Sequence, residues 1–322
     1  MAEVNRHSSI FNFEAIMGKF LRTLIVFAIL LGIIGEVVIR TFRLVPDIPE
    51  RYIDNHGIQR YRPGQSGYYT KAEEQWNVNK YGWLGTHDNE KERTISVIGD
   101  SFIENIMNPI SCNQGSVLKN RFPEYSFFEA GRSGVTFIEA VEISAILQDE
   151  INPKYQLLYL NTADFSESVS EIQRYTDRLQ ISLETEKLLP AELKSVGLKK
   201  ILYNIKLLYY LYLRYPIFVE KQNQVADEET TISLETENKL MYQKLFAYCA
   251  SNYELNRLIF VFHPNTDQRI LNLAHEYDIK TISLDSDGDK NWDLGEHDGH
   301  WSCYGHEQVS KQVAKRLKEI AL

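Results

Sequence analysis

The chain has 322 residues, of which 43% are hydrophobic and 25% charged, a globular composition long enough to bury a full core. The formal net charge of −9 argues against a nucleic-acid partner, because phosphate backbones bind clustered Lys and Arg. Three cysteines, Cys112, Cys249 and Cys303, are too few for a disulfide framework, which leaves one disulfide open.

Residues 23–39, TLIVFAILLGIIGEVVI, are apolar except for Glu36. As a helix this run is about 26 Å long, close to what a bilayer requires. The alternatives are a buried core helix and a cleaved signal peptide. However, the run precedes every other folded element, and no small-residue cleavage site follows it. We therefore predict an N-terminal tail at 1–18 and an uncleaved transmembrane helix at 19–43. Basic residues are nearly balanced on its two sides, so they do not orient it.

Residues 44–90 combine proline, glycine and tyrosine without a sustained period, which predicts a stalk or linker that packs on the following domain. From about residue 91 the pattern alternates between strands and helices. The predicted strands are TISVIGD, YQLLYLN, RLIFVFHP and KTISLD, starting at 94, 155, 257 and 280. Helical patterns lie at 136–150 and 305–320. This alternation indicates a mainly parallel sheet covered by helices on both sides, in a domain over 91–322.

Residues 166–245 do not follow the alternation and are predicted to be a mainly helical insertion. It contains LKKILYNIKLLYYLYLRYPIF at 198–218, which is dense in leucine and tyrosine. A membrane-surface or substrate-covering helix and a helix packed on the core are both consistent with that composition, and the second is the more frequent case.

Ser101 directly follows the first predicted strand, in the stretch SVIGDSFIE. Open α/β sheets carry their chemistry at this end of the strand. Ser101 and Asp100 are equally good helix caps, however, so the nine residues alone do not distinguish a nucleophile from a cap.

Near the C-terminus the stretch EHDGHWS contains Asp298 and His300, two residues apart. In an extended segment both side chains point to the same side, where a carboxylate orients an imidazole next to a serine. Together with Ser101 they form a hypothetical triad in the order Ser, Asp, His.

Four ordered stretches, VIGDSFIE, FFEAGRSGVT, LLYLNTADF and DGHWSCYGHEQV, resemble the blocks of the SGNH, or GDSL, hydrolase superfamily over about 91–322. The N-terminal span and WNVNKYGWLG at 76–85 resemble membrane-anchored bacterial members with an extracytoplasmic domain. The resemblance implies a flavodoxin-like three-layer α/β/α fold. It implies Ser101 as nucleophile, Asp298 and His300 as its partners, and the backbone N–H groups of Ser101 and Gly131 as oxyanion donors.

The third block departs from the family pattern. The family places an oxyanion-binding Asn in Gly-x-Asn-Asp, whereas this chain reads Asn161-Thr162-Ala163-Asp164, with Ala163 in the Asn position. Asn161 faces the same side of an extended strand but lies about 6.6 Å further back. We therefore include Asn161 as a candidate third donor, and the departure bears on whether the site is active.

The acidic stretch from Asp285 to Glu296, before the fourth block, has part of the pattern of a calcium loop. Carboxylates occupy positions 1, 3, 5, 9 and 12 of a twelve-residue loop, but Lys290 replaces the turn glycine at position 6. We favour a solvated loop, with no metal and no cofactor. The candidate ligands are Asp285, Asp287, Asp289, Asp293 and Glu296.

The predicted function is therefore that of a membrane-anchored, extracytoplasmic serine esterase or O-acyltransferase acting on an acylated glycan or another small ester. The alternative is a weakly active or inactive SGNH-like domain that binds glycan or assists polysaccharide assembly at the cell surface. The sequence does not distinguish hydrolysis from transfer and does not give the acyl group or the oligomeric state.

Overall fold

The computed structural model describes residues 4–85, 93–215 and 228–320, with side chains from residue 16 in the first range and from residue 239 in the last. The chain divides into two compact units. The first comprises residues 1–46 and 196–221, and the second comprises residues 47–195 and 222–322.

The elements follow one another in this order: α1 (Val4–Thr41), β1 (Arg51–Ile53), β2 (Gln59–Tyr61), β3 (Ser66–Tyr69), β4 (Glu74–Asn77), β5 (Thr94–Gly99), α2 (Ser101–Glu104), α3 (Gln114–Arg121), β6 (Ser126–Gly131), α4 (Phe137–Ile151), β7 (Tyr155–Leu160), α5 (Thr162–Ser168), β8 (Gln180–Ser182), β9 (Lys187–Leu189), α6 (Val196–Asn204), α7 (Lys206–Arg214), α8 (Glu228–Asn252), β10 (Leu258–Phe262), α9 (Gln268–Glu276), β11 (Lys280–Ser283), β12 (Asp293–Gly295), β13 (Asp298–Trp301) and α10 (Cys303–Ile320).

The second unit is built on a five-stranded sheet in the order β11-β10-β7-β5-β6, in which every pairing is parallel. Counted along the chain, this is the flavodoxin-like order 2-1-3-4-5. The four strands predicted from the sequence are confirmed as β5, β7, β10 and β11. The prediction missed β6, because Glu129 interrupts its apolar pattern. That side chain is buried and accepts hydrogen bonds from the Gly115 amide and from Asn113.

Alternate residues of each strand face opposite helical layers. In β7, Leu158 and Leu160 pack in the cluster that contains α4 and α9, whereas Leu157 and Tyr159 pack in the cluster of α3 and α10. The helical pattern predicted at 305–320 is confirmed as α10, whose Val309, Val313 and Leu317 belong to the second cluster. The predicted three-layer α/β/α architecture is therefore present.

Residues 47–85, part of the segment predicted as a stalk or linker that packs on the following domain, contain two antiparallel pairs, β1–β2 and β3–β4. They belong to the same compact unit as the α/β sheet. Tyr61, Trp76 and Val78 form a small buried cluster within this segment. The segment is thus a folded part of the domain.

The first unit contains α1, which starts at Val4, inside the predicted tail. Its stretch Ile16–Thr41 has a mean hydropathy of 2.3 and is long and apolar enough to cross a membrane. Helices α6 and α7 belong to this unit and not to the unit of the sheet.

A disulfide joins Cys112, just before α3, to Cys303 at the start of α10, with a Cα–Cα distance of 5.1 Å. Cys249 is buried and not disulfide-bonded. The two cysteines are 191 residues apart in the sequence. The disulfide therefore joins the segment that follows Ser101 to the segment that follows His300.

Candidate active site

The candidate site lies at the topological switch point of the sheet. Strands β5 and β7 are neighbours, but the chain leaves β5 toward β6 on one side and later returns to β7 on the other. Open α/β sheets bind ligands at the carboxyl ends of two such strands. Ser101 follows β5 and Asn161 follows β7, so both residues lie at this position.

The structure brings Ser101, His300 and Asp298 together. The hydroxyl of Ser101 is 2.8 Å from His300 Nε2, and His300 Nδ1 is 2.7 Å from Asp298 Oδ1. Asp298 and His300 lie two residues apart on β13, and Ser101 is the first residue of α2. This is the geometry in which an imidazole accepts a proton from a serine while a carboxylate fixes its orientation.

Aromatic packing holds His300 beside Ser101. The ring of Phe102 lies 5.0 Å from the imidazole of His300, 4.8 Å from Trp301 and 4.5 Å from His263, measured between centroids. Trp301 and His263 are buried. The strand β13 is therefore anchored through its tryptophan to the helix that begins with Ser101.

Lys71 is a site residue that the sequence analysis missed. It lies between β3 and β4, and its ammonium group is 3.2 Å from Asp298 Oδ2, the oxygen that does not contact His300 Nδ1. The hydrogen bond to His300, together with that to Lys71, lowers the pKa of Asp298 to about 2. Because Lys71 is 227 residues from Asp298, no local pattern indicates this contact.

Asn161 caps helix α5 and contacts the residue before Ser101. Its Oδ1 accepts from the amides of Ala163 and Asp164, while Asp164 accepts from the amide of Asn161 in return. Its Nδ2 donates to Asp100 Oδ2 at 3.2 Å. Burial raises the pKa of Asp100 to about 6 and also raises that of Asp164. The Asn161 amide therefore links the carboxyl ends of β5 and β7.

The buried Glu104 connects the end of α2 to its surroundings. Its carboxylate accepts from Tyr61 Oη, from the Ser133 hydroxyl and, at 3.0 Å, from the Ser133 amide. Arg51 lies 3.9 Å from the same carboxylate. Tyr61 and Arg51 belong to the β1–β2 pair, so the segment over residues 47–85 contacts both ends of the candidate triad, here through α2 and at Asp298 through Lys71.

Gly131 ends β6 and lies against α2. A Cβ at Gly131 would be 2.4 Å from the amide nitrogen of Glu104, so any larger residue would push the helix away from the sheet. Gly131 therefore lies against the helical turn that begins at Ser101. The loop that follows contains Gly134, with a φ of +79°, packed on the guanidinium of Arg178.

A cavity of about 300 Å³ adjoins Phe102 and the strand of His300. Its wall combines aromatic rings, carboxylates, one lysine and an amide. The lining residues are Phe102, His263, Pro264, Asn265, Ser286, Gly288, Asp289, Lys290, Trp292, Asp293, Gly299 and Trp301.

His263, at the carboxyl end of β10, is the second residue that the sequence analysis missed. Burial lowers its pKa to about 3, so it is neutral, and its Nε2 has no hydrogen-bond partner among the described residues. The only sequence signal is its position at the polar end of the strand RLIFVFHP.

The acidic loop from Asp285 to Glu296 does not form a metal site in the part of the chain that the structure describes. No group of three or more His, Cys, Asp or Glu side chains there converges as metal ligands would. Instead, Asp285 accepts from the amide of Asp287, and Asp289 accepts from Asn291, as local turn contacts. The calcium-loop alternative therefore has no support in the geometry of Asp293 or Glu296 either.

No protein-family model matches the chain, and no curated protein is significantly similar to it in sequence. Solved structures with a similar fold include the psychrotrophic esterase EstA from Pseudoalteromonas sp., with 10% identity, 71% of this chain and 98% of that chain covered, and a TM-score of 0.39. A lipase/acylhydrolase from Enterococcus faecalis has 12% identity, coverages of 70% and 96%, and a TM-score of 0.37. A member of the lipolytic G-D-S-L family from Veillonella parvula has 10% identity, coverages of 71% and 100%, and a TM-score of 0.33.

We expect Lys71→Met to raise the pKa of Asp298 from about 2 toward the ordinary value of 3.8. Both side chains are substantially exposed, so the rise should be less than about 1 pH unit. The pKa should rise because the nearby ammonium group favours the charged carboxylate, and its removal weakens that preference. The carboxylate would then protonate at a higher pH as the solution is acidified.

The measurement is a pH titration of the Asp298 carboxyl carbon by NMR. Lys71→Arg retains the charge and should leave the titration close to that of the unchanged protein. An identical titration in Lys71→Met would show that Lys71 does not act on Asp298.

Proposed function

We propose that the chain is a serine-dependent esterase or O-acyltransferase of the SGNH superfamily. The observation that carries the proposal is the continuous contact from Ser101 Oγ to His300 Nε2, at 2.8 Å, and from His300 Nδ1 to Asp298 Oδ1, at 2.7 Å. The residues that form it come from strand ends 199 positions apart in sequence, so local capping does not account for it.

In the proposed reaction, Ser101 Oγ attacks the carbonyl carbon of an ester while its proton passes to His300 Nε2. The tetrahedral intermediate then releases the alcohol, which takes that proton back from His300, and leaves an acyl group on Ser101. Water or a sugar hydroxyl attacks the acyl-serine, with His300 again taking the proton. His300 then returns that proton to Ser101 Oγ as the bond between this oxygen and the acyl carbon breaks, which releases the acid or the new ester. Asp298 stays ionised throughout and keeps Nδ1 protonated, so that Nε2 is the base.

The oxyanion would be stabilised at the switch point by three groups. The Ser101 amide, in the first turn of α2, has no acceptor within its helix. Gly131 lies against the same turn, and Asn161 Nδ2 lies 3.2 Å from Asp100 Oδ2. Asn161 Oδ1 accepts the hydrogen bonds of the cap, while Nδ2 has two protons, of which one is donated to Asp100 and the other would serve the oxyanion.

The composition of the cavity supports an acylated carbohydrate as substrate. Sugar hydroxyls donate hydrogen bonds to carboxylates such as Asp289 and Asp293, and the apolar faces of sugar rings pack on aromatic residues such as Trp292 and Phe102. The neutral His263 would supply a further polar group to the same ligand.

Two features support a membrane-anchored domain outside the cytoplasm. Helix α1 has the length and hydropathy of a membrane span. The Cys112–Cys303 disulfide is stable in oxidising compartments and rare in the cytosol. We therefore propose a cytoplasmic N-terminus and an extracytoplasmic catalytic domain.

A second candidate is a glycan-binding domain with little or no turnover. It is favoured by Ala163, which lacks a side-chain donor, and by the hydrogen bond that already engages Asn161 Nδ2 with Asp100. Loss of one oxyanion donor typically lowers turnover by about 10²–10³-fold. In that case the same cavity would bind an acylated glycan without cleaving it.

A fluorophosphonate probe distinguishes the two candidates. If the triad is active, the full-length protein should be labelled on Ser101 in stoichiometric amount, because the probe requires an activated serine. Peptide mass spectrometry locates the adduct, and Ser101→Ala is the matched control. Asp298→Asn should slow labelling by orders of magnitude, since the imidazole then loses its oriented tautomer. Absence of labelling in the folded protein would favour the binding domain.

The role of Asn161 is tested by two complementary substitutions. We expect Asn161→Ala to lower kcat by about 10²-fold with little change in KM if its nitrogen serves the oxyanion. Loss of the cap alone should cost about 1 kcal/mol of stability and leave turnover nearly intact, so thermal unfolding is measured alongside. Asn161→Asp retains the cap but removes the donor.

The complementary substitution, Ala163→Asn, should raise turnover if the natural oxyanion site is weak. If none of the three substitutions changes turnover, Asn161 does not contribute to the oxyanion site.

The proposed compartment predicts a fixed pattern of thiol alkylation. Protein from acid-quenched cells, unfolded in detergent, should take up one maleimide, on Cys249, before reduction and three after it. A Cys249→Ala variant should take up none before reduction. Three modified cysteines without reduction would place the domain in a reducing compartment and contradict the extracytoplasmic assignment.

A further inference from the structure

Glu36, the single acidic residue in the apolar part of α1, has partners within its own unit. Its two carboxylate oxygens accept hydrogen bonds from the backbone amides of Lys206, at 3.0 Å, and Leu207, at 2.7 Å, at the start of α7. Arg40, one turn later, donates to the same carboxylate at 2.7 Å. An acidic side chain in a membrane helix is costly unless it is paired, and here α7 supplies the pairing.

Further contacts fix α7 against α1. A Cβ at Gly35 would lie 3.3 Å from both methyl groups of Leu207, so the glycine allows a close approach of the two helices. Lys206 is buried and donates to the carbonyl of Pro46 at 3.1 Å, while Arg40 donates to the carbonyl of Asn204. Removal of α1 would take away the carboxylate that accepts from the Lys206 and Leu207 amides at the start of α7.

The α6–α7 hairpin, residues 196–214, leaves its apolar side chains uncovered. Helix α6 has no buried residue. Leu198 is 69% exposed, and Ile201, Leu208, Leu211 and Leu213 are between 42% and 55% exposed. Helix α1 has the same kind of apolar surface, because its apolar residues from Phe20 to Val37 are exposed to a similar degree.

We propose that the α6–α7 hairpin is embedded in the lipid interface beside the end of α1, so that the chain contacts the bilayer through two elements. Each helix has nine residues and a length of about 14 Å, too short to span a bilayer. The hairpin also contains Tyr203, Tyr210 and Tyr212 together with Lys199, Lys200 and Arg214, the residue types that favour the headgroup region. The proposal is independent of the esterase activity.

The experiment uses the full-length chain in nanodiscs that contain one copy each, with phosphatidylcholine and phosphatidylglycerol. Nitroxide labels are attached through Leu198→Cys or Leu208→Cys, and through Lys315→Cys on the exposed face of α10 as the matched control. The unsubstituted protein gives the background from Cys249. Power saturation then compares relaxation by oxygen, which partitions into lipid, with relaxation by a water-soluble nickel chelate.

At positions 198 and 208 we expect stronger relaxation by oxygen and weaker relaxation by nickel than at position 315. Nickel relaxation equal to that at 315 would mean that the hairpin faces water and would overturn the proposal. Shielding from both reagents would mean that protein covers the hairpin, which also overturns it because only one copy is present.

Glu36→Leu tests the attachment to α1 without weakening the span, since it makes α1 more apolar. The label at position 208 should become more mobile, and Glu36→Gln, which keeps one acceptor oxygen, should have a smaller effect. An unchanged spectrum in Glu36→Leu would show that α7 is not held by this carboxylate.

Discussion

Parallel pairing of β5 with β7, while β6 lies on the other side of β5, is the constraint on which the candidate site depends. The connections that follow β5 and β7 run to opposite sides, which leaves a crevice at the carboxyl ends of these two strands. The residues that directly follow the two strands lie beside each other in this crevice. Asp100 and Asn161 meet directly, through a 3.2 Å hydrogen bond. The position of Ser101 is therefore set mainly by the sheet, because Ser101 follows the end of β5 by two residues.

Two other parts of the chain complete this edge from outside the sheet. The β12–β13 pair brings Asp298 and His300 over Ser101, with Trp301 buried against Phe102. The segment over residues 47–85 approaches from the opposite end of the sequence, with Tyr61 on Glu104 and Lys71 on Asp298. The site thus combines contributions from three regions that are far apart in sequence.

The features that follow from local patterns were predictable, and those that follow from long-range contacts were not. Apolar runs ending in polar residues gave β5, β7, β10 and β11, and the two-residue spacing of Asp298 and His300 indicated their shared face. Strand β6 was missed because Glu129 is buried and satisfied by α3, which a charge in the sequence does not reveal. The contacts of Lys71 and Tyr61 join residues that lie 227 and 43 positions apart in the sequence, so no local pattern indicates them.

The insertion between β7 and β10 shows the same limit in another form. Its leucine and tyrosine content is consistent both with burial in protein and with contact to lipid. Only the partners of Glu36 and Lys206 assign α7 to the unit of α1. Asn161 is a comparable case. The sequence analysis placed it two residues before the family's Asn position on an extended strand, whereas β7 ends at Leu160 and Asn161 caps α5.

The Cys112–Cys303 disulfide encloses the whole of this insertion, because residues 196–214 lie between the two cysteines. A protease that cuts the chain in that interval would therefore produce two fragments still joined covalently. The nucleophile strand and the imidazole strand lie in different fragments, yet both stay attached across the cut by a bond only eleven residues from Ser101 and three from His300. Cleavage of the insertion would therefore leave Ser101, Asp298 and His300 in one covalently connected molecule.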